Sequence, residues 1–420
     1  MSANKEPEKT KARPNLAKML GGSAFQSLLV PILAIFTGLV IGGIVIAVTD
    51  SDVAAAFKNF SADPGSAFKS IWTAVATAYG ALFYGSLGSP REIFAGFRVY
   101  LSTGDDAAFL KAIYPFTESL VTATPYIFAG LAVAIGFRCG LFNIGAEGQF
   151  FMGALGSAYV GYSITGLPWY IHLPLAILGG ALAGAIWGAI PGYLKAKFGA
   201  HEVVNTIMMN WIAFRLSDWL LTGPMMASGF RPVTPTIQKA AELPRFFPEP
   251  LRFNWGFVLA LVVAYLVYWF LFKTTLGFEI RSVGANPDGS KYAGMSIVRN
   301  FVLVMILSGG LAGMAGAAQV LGVDHWVGQG FSAGYGFDAI ALALLGKSHP
   351  VGVVLSAIVF GILRSGATRM QSMAGIPIDI ISIIQGLVII FVAAPAIIRW
   401  LFRIPVKTTD QTVLMRGWGK

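Results

Sequence analysis

The chain has 420 residues, 55% of them hydrophobic and 12% charged, and a mean hydropathy of +0.68. A soluble domain carries about 25% charged residues, so the composition excludes a water-soluble globule. The net charge of +10 does not point to nucleic acid, because residues 1–20 hold five Lys/Arg against two acids and residues 399–420 five against one. Both runs flank apolar segments, which the positive-inside rule explains, and no basic groove with stacking aromatics is readable.

A span takes about 20 apolar residues. Segments of that kind lie at 27–49, 116–137, 145–165, 171–194, 203–222, 254–272, 300–321, 335–346, 350–368 and 377–401. The reading is all-α: a polytopic membrane protein of about ten transmembrane helices with broken or re-entrant segments. The first run is too long for a signal-peptide core and reads as a retained span. Ten spans put both termini on one side, together with Arg138, Lys195, Lys197, the 273–299 loop and Lys347. By charge that side is the cytoplasm.

The organisation is then a cytoplasmic basic tail (1–26), a first transmembrane helix (27–49), an external amphipathic segment (50–112), a membrane domain (113–402) and a second tail (403–420). Within 50–112, residues 71–88 are apolar but hold Gly80, Gly85 and Gly88, and read as an interfacial or re-entrant piece. The Pro-rich 223–253 stretch reads as a rigid external cap. Cys139 stands alone, so no intramolecular disulfide forms.

Residues 140–149, Gly-Leu-Phe-Asn-Ile-Gly-Ala-Glu-Gly-Gln, are the sharpest local anomaly. A carboxylate at membrane depth costs roughly 3 kcal/mol or more unless it faces protein or water. Glycines break a helix, and the freed backbone groups need partners in a protein-lined cavity. The segment reads as a cytoplasmic-side elbow between the second and third spans. Asn143, Glu147 and Gln149 offer hydrogen bonds to a polar cargo, or else satisfy the broken backbone, with Glu147 paired to a base such as Arg138. Phe142, Phe150 and Phe151 either stack on a planar ring or pack. Asn205 and Asn210 lie five apart on a helix, about 140° around its axis, and suit hydrogen bonding between helices or to cargo. A Gly-rich break precedes an apolar helix at 142–162 and again at 337–360, a faint internal echo of the kind transporters contain.

Gly180, Gly184, Gly188 and Gly192 recur every four residues and form one smooth helix stripe for close packing; Gly309 and Gly313 do the same later. In the 273–299 loop, Gly284 and Asn286-Pro287 make a turn and Asp288 to Met295 a short helix, its Asp near the positive end.

Nucleotide and metal motifs fail. Gly346-Lys347-Ser348 lacks the first glycine of a phosphate loop, with Ala341 in its place, and His201–Asn205 lacks the second zinc-binding histidine. Neither a metal site nor a cofactor site is readable in this chain.

The 273–299 loop, with Gly277, Arg281, Gly284, Asn286, Ala293 and Gly294, resembles the coupling loop of the branched-chain amino acid and simple-sugar permease group of bacterial ABC importers. Residues 140–149 resemble the signature of that group's nucleoside branch, and Glu202–Asn210 and Ala339–Gly352 resemble two further signatures in the same order. The resemblance covers about 115–400; the 50–112 segment is longer than is usual, and Asn205 replaces an apolar residue. It implies a type II-like permease fold and a non-catalytic subunit that forms half of a nucleoside path. The implied partners are a second related permease, ATPase subunits that carry the ATP and Mg, and an extracytoplasmic binding protein of the basic-membrane-lipoprotein type. Gly284, Asn286, Ala293, Gly294 and Arg281 would then serve ATPase coupling. Simple sugars or riboflavin are the alternative cargoes. An ion-gradient-driven secondary transporter is the alternative class, disfavoured because Glu147 is the main deep carboxylate while Asp218, Asp338 and Asp379 sit nearer span ends.

Overall fold

A computed structural model describes residues 23–404, apart from 59 and 62. Most of both basic tails lies outside the described residues. The described chain is helical: α1 (Ser23–Thr49), α2 (Ser51–Lys58), α3 (Pro64–Leu87), α4 (Pro90–Thr103), α5 (Ala107–Arg138), α6 (Ala146–Ser163), α7 (Trp169–Phe198), α8 (Glu202–Thr222), α9 (Gly256–Lys273), α10 (Thr275–Ala285), α11 (Pro287–Tyr292), α12 (Ile297–Gln319), α13 (Tyr335–Leu345), α14 (Pro350–Ala374), α15 (Ile378–Ala393) and α16 (Pro395–Leu401).

Six of these, α1, α5, α7, α9, α12 with its wide terminal turn, and α14, are long and apolar enough to cross a membrane; α15 and α16, bent by 84° to each other, form either a broken span or a re-entrant loop. The protein is a multi-pass membrane protein. The other expected spans are helical but different in kind. α8 carries Glu202, Arg215 and Asp218, and α6 is enclosed by protein over most of its length. α13 has 11 residues, about 17 Å of helix, and reaches only part-way across.

Of the two alternatives for residues 71–88, the structure speaks against the re-entrant one and leaves the interfacial one open. These residues belong to α3, a continuous 24-residue helix, about 36 Å long. Gly80 and Gly85 do not break it: Gly85 gives the Arg369 side chain of α14 room, and the helix stops at Gly88, where φ is +79°.

α5 is the central column, buried almost continuously from Val121 to Gly136, as a helix apolar on all sides demands. α6, α7 and α12 meet along a glycine seam. A Cβ on Gly184 would overlap the backbone of Gly309 and Gly313, one on Gly188 the carbonyl of Met305, and one on Gly180 the side chain of Ala317. Gly192 faces the Met305 side chain, and Gly153 of α6 faces Gly313. Without a hydrophobic drive between helices in lipid, such close backbone approach supplies the packing energy.

The 223–255 stretch caps the ends of α6 and α12. Gln238 N–H donates to Gly161 O (2.9 Å), Leu243 N–H to Leu321 O (2.8 Å) and Thr234 N–H to Val327 O (2.8 Å). Asn254 fastens the start of α9, accepting from Gly256 N–H (2.9 Å) while its amide donates to Gly322 O (3.0 Å).

Candidate functional site

The elbow opens with a tight turn at Cys139 and Gly140, where φ at Gly140 is +75°, a conformation suited to glycine. Gly140 lies against Gly284 at the end of α10; a Cβ there would meet the Gly284 carbonyl oxygen at 3.4 Å. The converse contact is tighter, because a Cβ on Gly284 would overlap the carbonyl of Arg138.

Beyond the turn the chain does not stay at the Arg138 end of α5, and this corrects the simple elbow expected from sequence. Residues 141–145 climb back beside α5. Asn143 donates to Ser308 Oγ of α12 (2.8 Å), and Ser308 donates to Ala132 O of α5 (2.6 Å). The Asn143 amide also donates to Gln149 Oε1 (2.9 Å), and its oxygen accepts from Gly145 N–H (2.9 Å) and Gln149 Nε2 (3.3 Å). Asn210 of α8 accepts from Gly148 N–H (2.8 Å) and donates to Ile144 O (2.9 Å). Asn143, Gln149 and Asn210 are buried, so they satisfy backbone and one another inside a dry site, which a broken helix at membrane depth requires.

Asn205 behaves differently. It is half-buried, and its side-chain nitrogen has no hydrogen-bond partner among the described residues. Phe142 is half-buried and packs on Phe137, ring centroids 5.2 Å apart. Phe150 stacks on Phe331 (5.4 Å) and Tyr335 (5.6 Å), and Phe151 meets Phe214 (5.1 Å).

Glu147, in the first turn of α6, is buried and does not pair with Arg138. Its carboxylate accepts from Gly336 N–H in the first turn of α13 (2.6 Å), with the Ser332 hydroxyl and the Phe337 backbone nearby. Arg138 instead donates to the carbonyls of Ser348 (2.8 Å) and Lys347 (3.2 Å) in the α13–α14 turn. Two helix N-termini, each carrying partial positive charge, thus meet on one carboxylate.

That meeting point lies beside the buried middle of α5. Asp338 of α13 accepts from the Tyr126 hydroxyl of α5 (2.7 Å), and Tyr126 precedes Arg138 by 12 residues, about 18 Å of helix. Asp338 sits in the first turn of α13, at the end of that helix as the sequence placed it, but beside the buried middle of α5. There it pairs with Arg364 of α14 (3.4 Å). Sequence reasoning missed Tyr126, Ser308, Tyr335 and Arg364. Each sits in an otherwise apolar helix, and only the lone Arg364 within 350–368 gave a local signal.

The 273–299 loop folds as α10 and α11. Arg281 donates to Leu271 O (2.9 Å) and lies over the Phe272 ring, so it braces the loop from within. Gly284 is the contact with the elbow, and Asn286 caps α11 by accepting from Gly289 N–H (3.0 Å). Ala293 and Gly294 are exposed, as is Tyr292 at 98%, while Ser290 is buried, so α11 packs on one side and presents its C-terminal end to the outside. Among the described residues no group of three His, Cys, Asp or Glu side chains is placed to hold a metal ion.

Residues 116–393 match the family described as the branched-chain amino acid transport system permease component. The chain belongs to that family. This permease is 38% identical over 379 residues to a guanosine ABC transporter permease protein, NupP, of Bacillus subtilis, covering 89% of this chain and 95% of that one. It is 31% identical to a nucleoside ABC transporter permease protein, NupB, of Lactococcus lactis, over 89% of this chain and 93% of that one. A glucose ABC transporter permease protein, TsgB13, of Haloferax volcanii is 36% identical over 67% of this chain and 77% of its own length. The same two bacteria also carry the more distant relatives NupQ and NupC, at 26% and 30% identity, so each pairs two permease proteins under one transporter description. No solved structure matches the chain.

Proposed function

We propose that the chain is the permease subunit of an ATP-driven nucleoside importer of the bacterial inner membrane, with both termini cytoplasmic. The observation that carries this reading is the similarity, across 89% of the chain, to permeases described for guanosine and for nucleosides. A second, related permease completes the path, supported by the paired relatives. Separate ATPase subunits hold ATP and Mg, and an extracytoplasmic lipoprotein-type binding protein delivers cargo. The chain itself is non-catalytic.

The geometry suggests how energy reaches the path. ATPase subunits engage the exposed α11, where Ala293 and Gly294 keep the surface smooth. Arg281 makes α10 rigid with the end of α9, so motion of α11 is passed to Gly284 and thence to the turn at Arg138–Gly140. Arg138 also grips the α13–α14 turn, so α13 moves with it. Asn143, Gln149 and Asn210 hold the start of α6 as one unit. Glu147 ties that unit to α13 and acts as the hinge or gate, while Phe142 and Asn205 border the same elbow.

Uptake by proteoliposomes that hold all subunits, measured across nucleosides, glucose and riboflavin, tests the cargo. Saturable uptake of nucleosides is expected. Uptake of glucose alone overturns the nucleoside reading.

A further inference from the structure

The Asp338–Arg364 pair is more open than its place in the fold explains. The two side chains are 25% and 32% exposed, yet Arg364 falls on the inner stripe of α14, in line with Val353, Ala357, Phe360 and Ala367, all buried. The outward stripe of the same helix carries Val351 and Leu355, 57% and 59% exposed. Residues 11, 7 and 4 positions apart share a helix face, so Arg364 is carried on the face of α14 that packs against the rest of the protein and not on its outward face. A charged pair there belongs beside water or a polar cavity.

The pair also has unused valence. Asp338 Oδ2 takes the Tyr126 hydroxyl and Arg364, and Arg364 Nη2 donates to Ala333 O (2.7 Å). Asp338 Oδ1 and Arg364 Nε hold no hydrogen bond among the described residues. An open acceptor beside an open donor fits an uncharged solute that offers a hydroxyl next to a ring nitrogen or carbonyl. The guanidinium lies 5.8 Å from the Tyr335 ring centroid, and Tyr126 packs edge-on to Tyr335 at 4.7 Å, which fixes both polar groups in place.

We propose that Asp338 and Arg364 form the polar contact for the transported solute along the path, Asp338 accepting from a cargo hydroxyl and Arg364 donating to its base. Only the identity of the solute rests on the nucleoside reading above.

The test uses the complete transporter in proteoliposomes, with Cys139→Ala removing the single cysteine. Ala333→Cys keeps the carbonyl that Arg364 uses and places a thiol beside the pair; Val351→Cys and Leu355→Cys are controls on the outward stripe. The probe is the charged thiol reagent methanethiosulfonate ethyltrimethylammonium. Ala333→Cys is expected to react at least about tenfold faster than the controls, and guanosine to slow it about fivefold. Asp338→Asn is expected to shift the preference for guanosine over 2′-deoxyguanosine about tenfold, the effect of one lost hydrogen bond. A pair that merely braces α13 against α14 leaves that preference unchanged. Equal reaction at Ala333→Cys and the controls, or no protection by any transported solute, overturns the proposal. Protection by glucose with no guanosine transport upholds the site and rejects the nucleoside cargo.

Discussion

Gly284, at the end of α10, packs its bare Cα against the carbonyl of Arg138, at the end of α5, with no room for a side chain between them. The 273–299 loop and the last turn of the central helix are thereby joined backbone to backbone. Gly284→Ala should force them apart by overpacking, at a cost of about 1–3 kcal/mol. Uptake should fall about tenfold while the chain still inserts and assembles. Ala293→Glu, on the exposed surface of α11, should weaken ATPase stimulation without altering the thermal stability of the chain. Transport and ATPase assays on purified complexes check both; normal coupling in Ala293→Glu rules out α11 as the docking element.

Glu147 joins α6 to α13 through a hydrogen bond to Gly336 N–H, 189 positions away in sequence. Glu147→Ala leaves the buried Gly336 N–H unpaired, and the expected loss is about 1–3 kcal/mol, seen as a lower melting temperature in detergent. Glu147→Gln keeps an acceptor but removes the charge that favours two converging helix N-termini. It should fold near normally and slow transport. Wild-type uptake kinetics in Glu147→Gln remove this carboxylate from the gate.

The spans were legible because long apolar runs admit little else, and the break at 140–149 because glycines and a carboxylate are costly in lipid. The half-length of α13 was legible too, because the apolar run at 335–346 is short. Neither the climb of residues 141–145 nor the partners of α13 were legible: both depend on residues far away in the chain, Ser308 for Asn143, Gly336 for Glu147 and Tyr126 for Asp338, separated by 165, 189 and 212 positions. Local periodicity holds no record of such pairs. Gly80 and Gly85 misled in the opposite direction, since Gly85 serves a crossing with α14 and leaves its own helix whole.

Glycines along the seam differ in what a methyl would meet. At Gly184 it would overlap the backbone of Gly309, whereas at Gly310 the nearest atom is the carbonyl oxygen of Ala181 at 3.5 Å. Gly184→Ala should therefore lower the melting temperature, costing about 1–3 kcal/mol, and Gly310→Ala should be tolerated. Equal behaviour of the two variants contradicts the seam.

His349, in the turn before α14, is held below its ordinary value of 6.5 by burial and then by the neighbouring Arg138; Lys347 adjoins it, and Tyr268 and Phe272 pack on its ring. The unfolded chain takes up a proton near pH 6.5 that the folded chain resists, so the folded state loses stability as pH falls below that value and keeps it above. Melting at pH 7.5 and 5.5 should show a drop in the wild type that His349→Gln reduces. An identical drop in both assigns the effect elsewhere.

The central claim is that this chain is a passive path driven by a partner ATPase. Proteoliposomes holding all subunits, loaded so that ATP or an ion gradient can be supplied separately, test it most directly. Accumulation of nucleoside with ATP, and none with a proton or sodium gradient alone, is the predicted result. Accumulation that follows the ion gradient and ignores ATP would contradict the account.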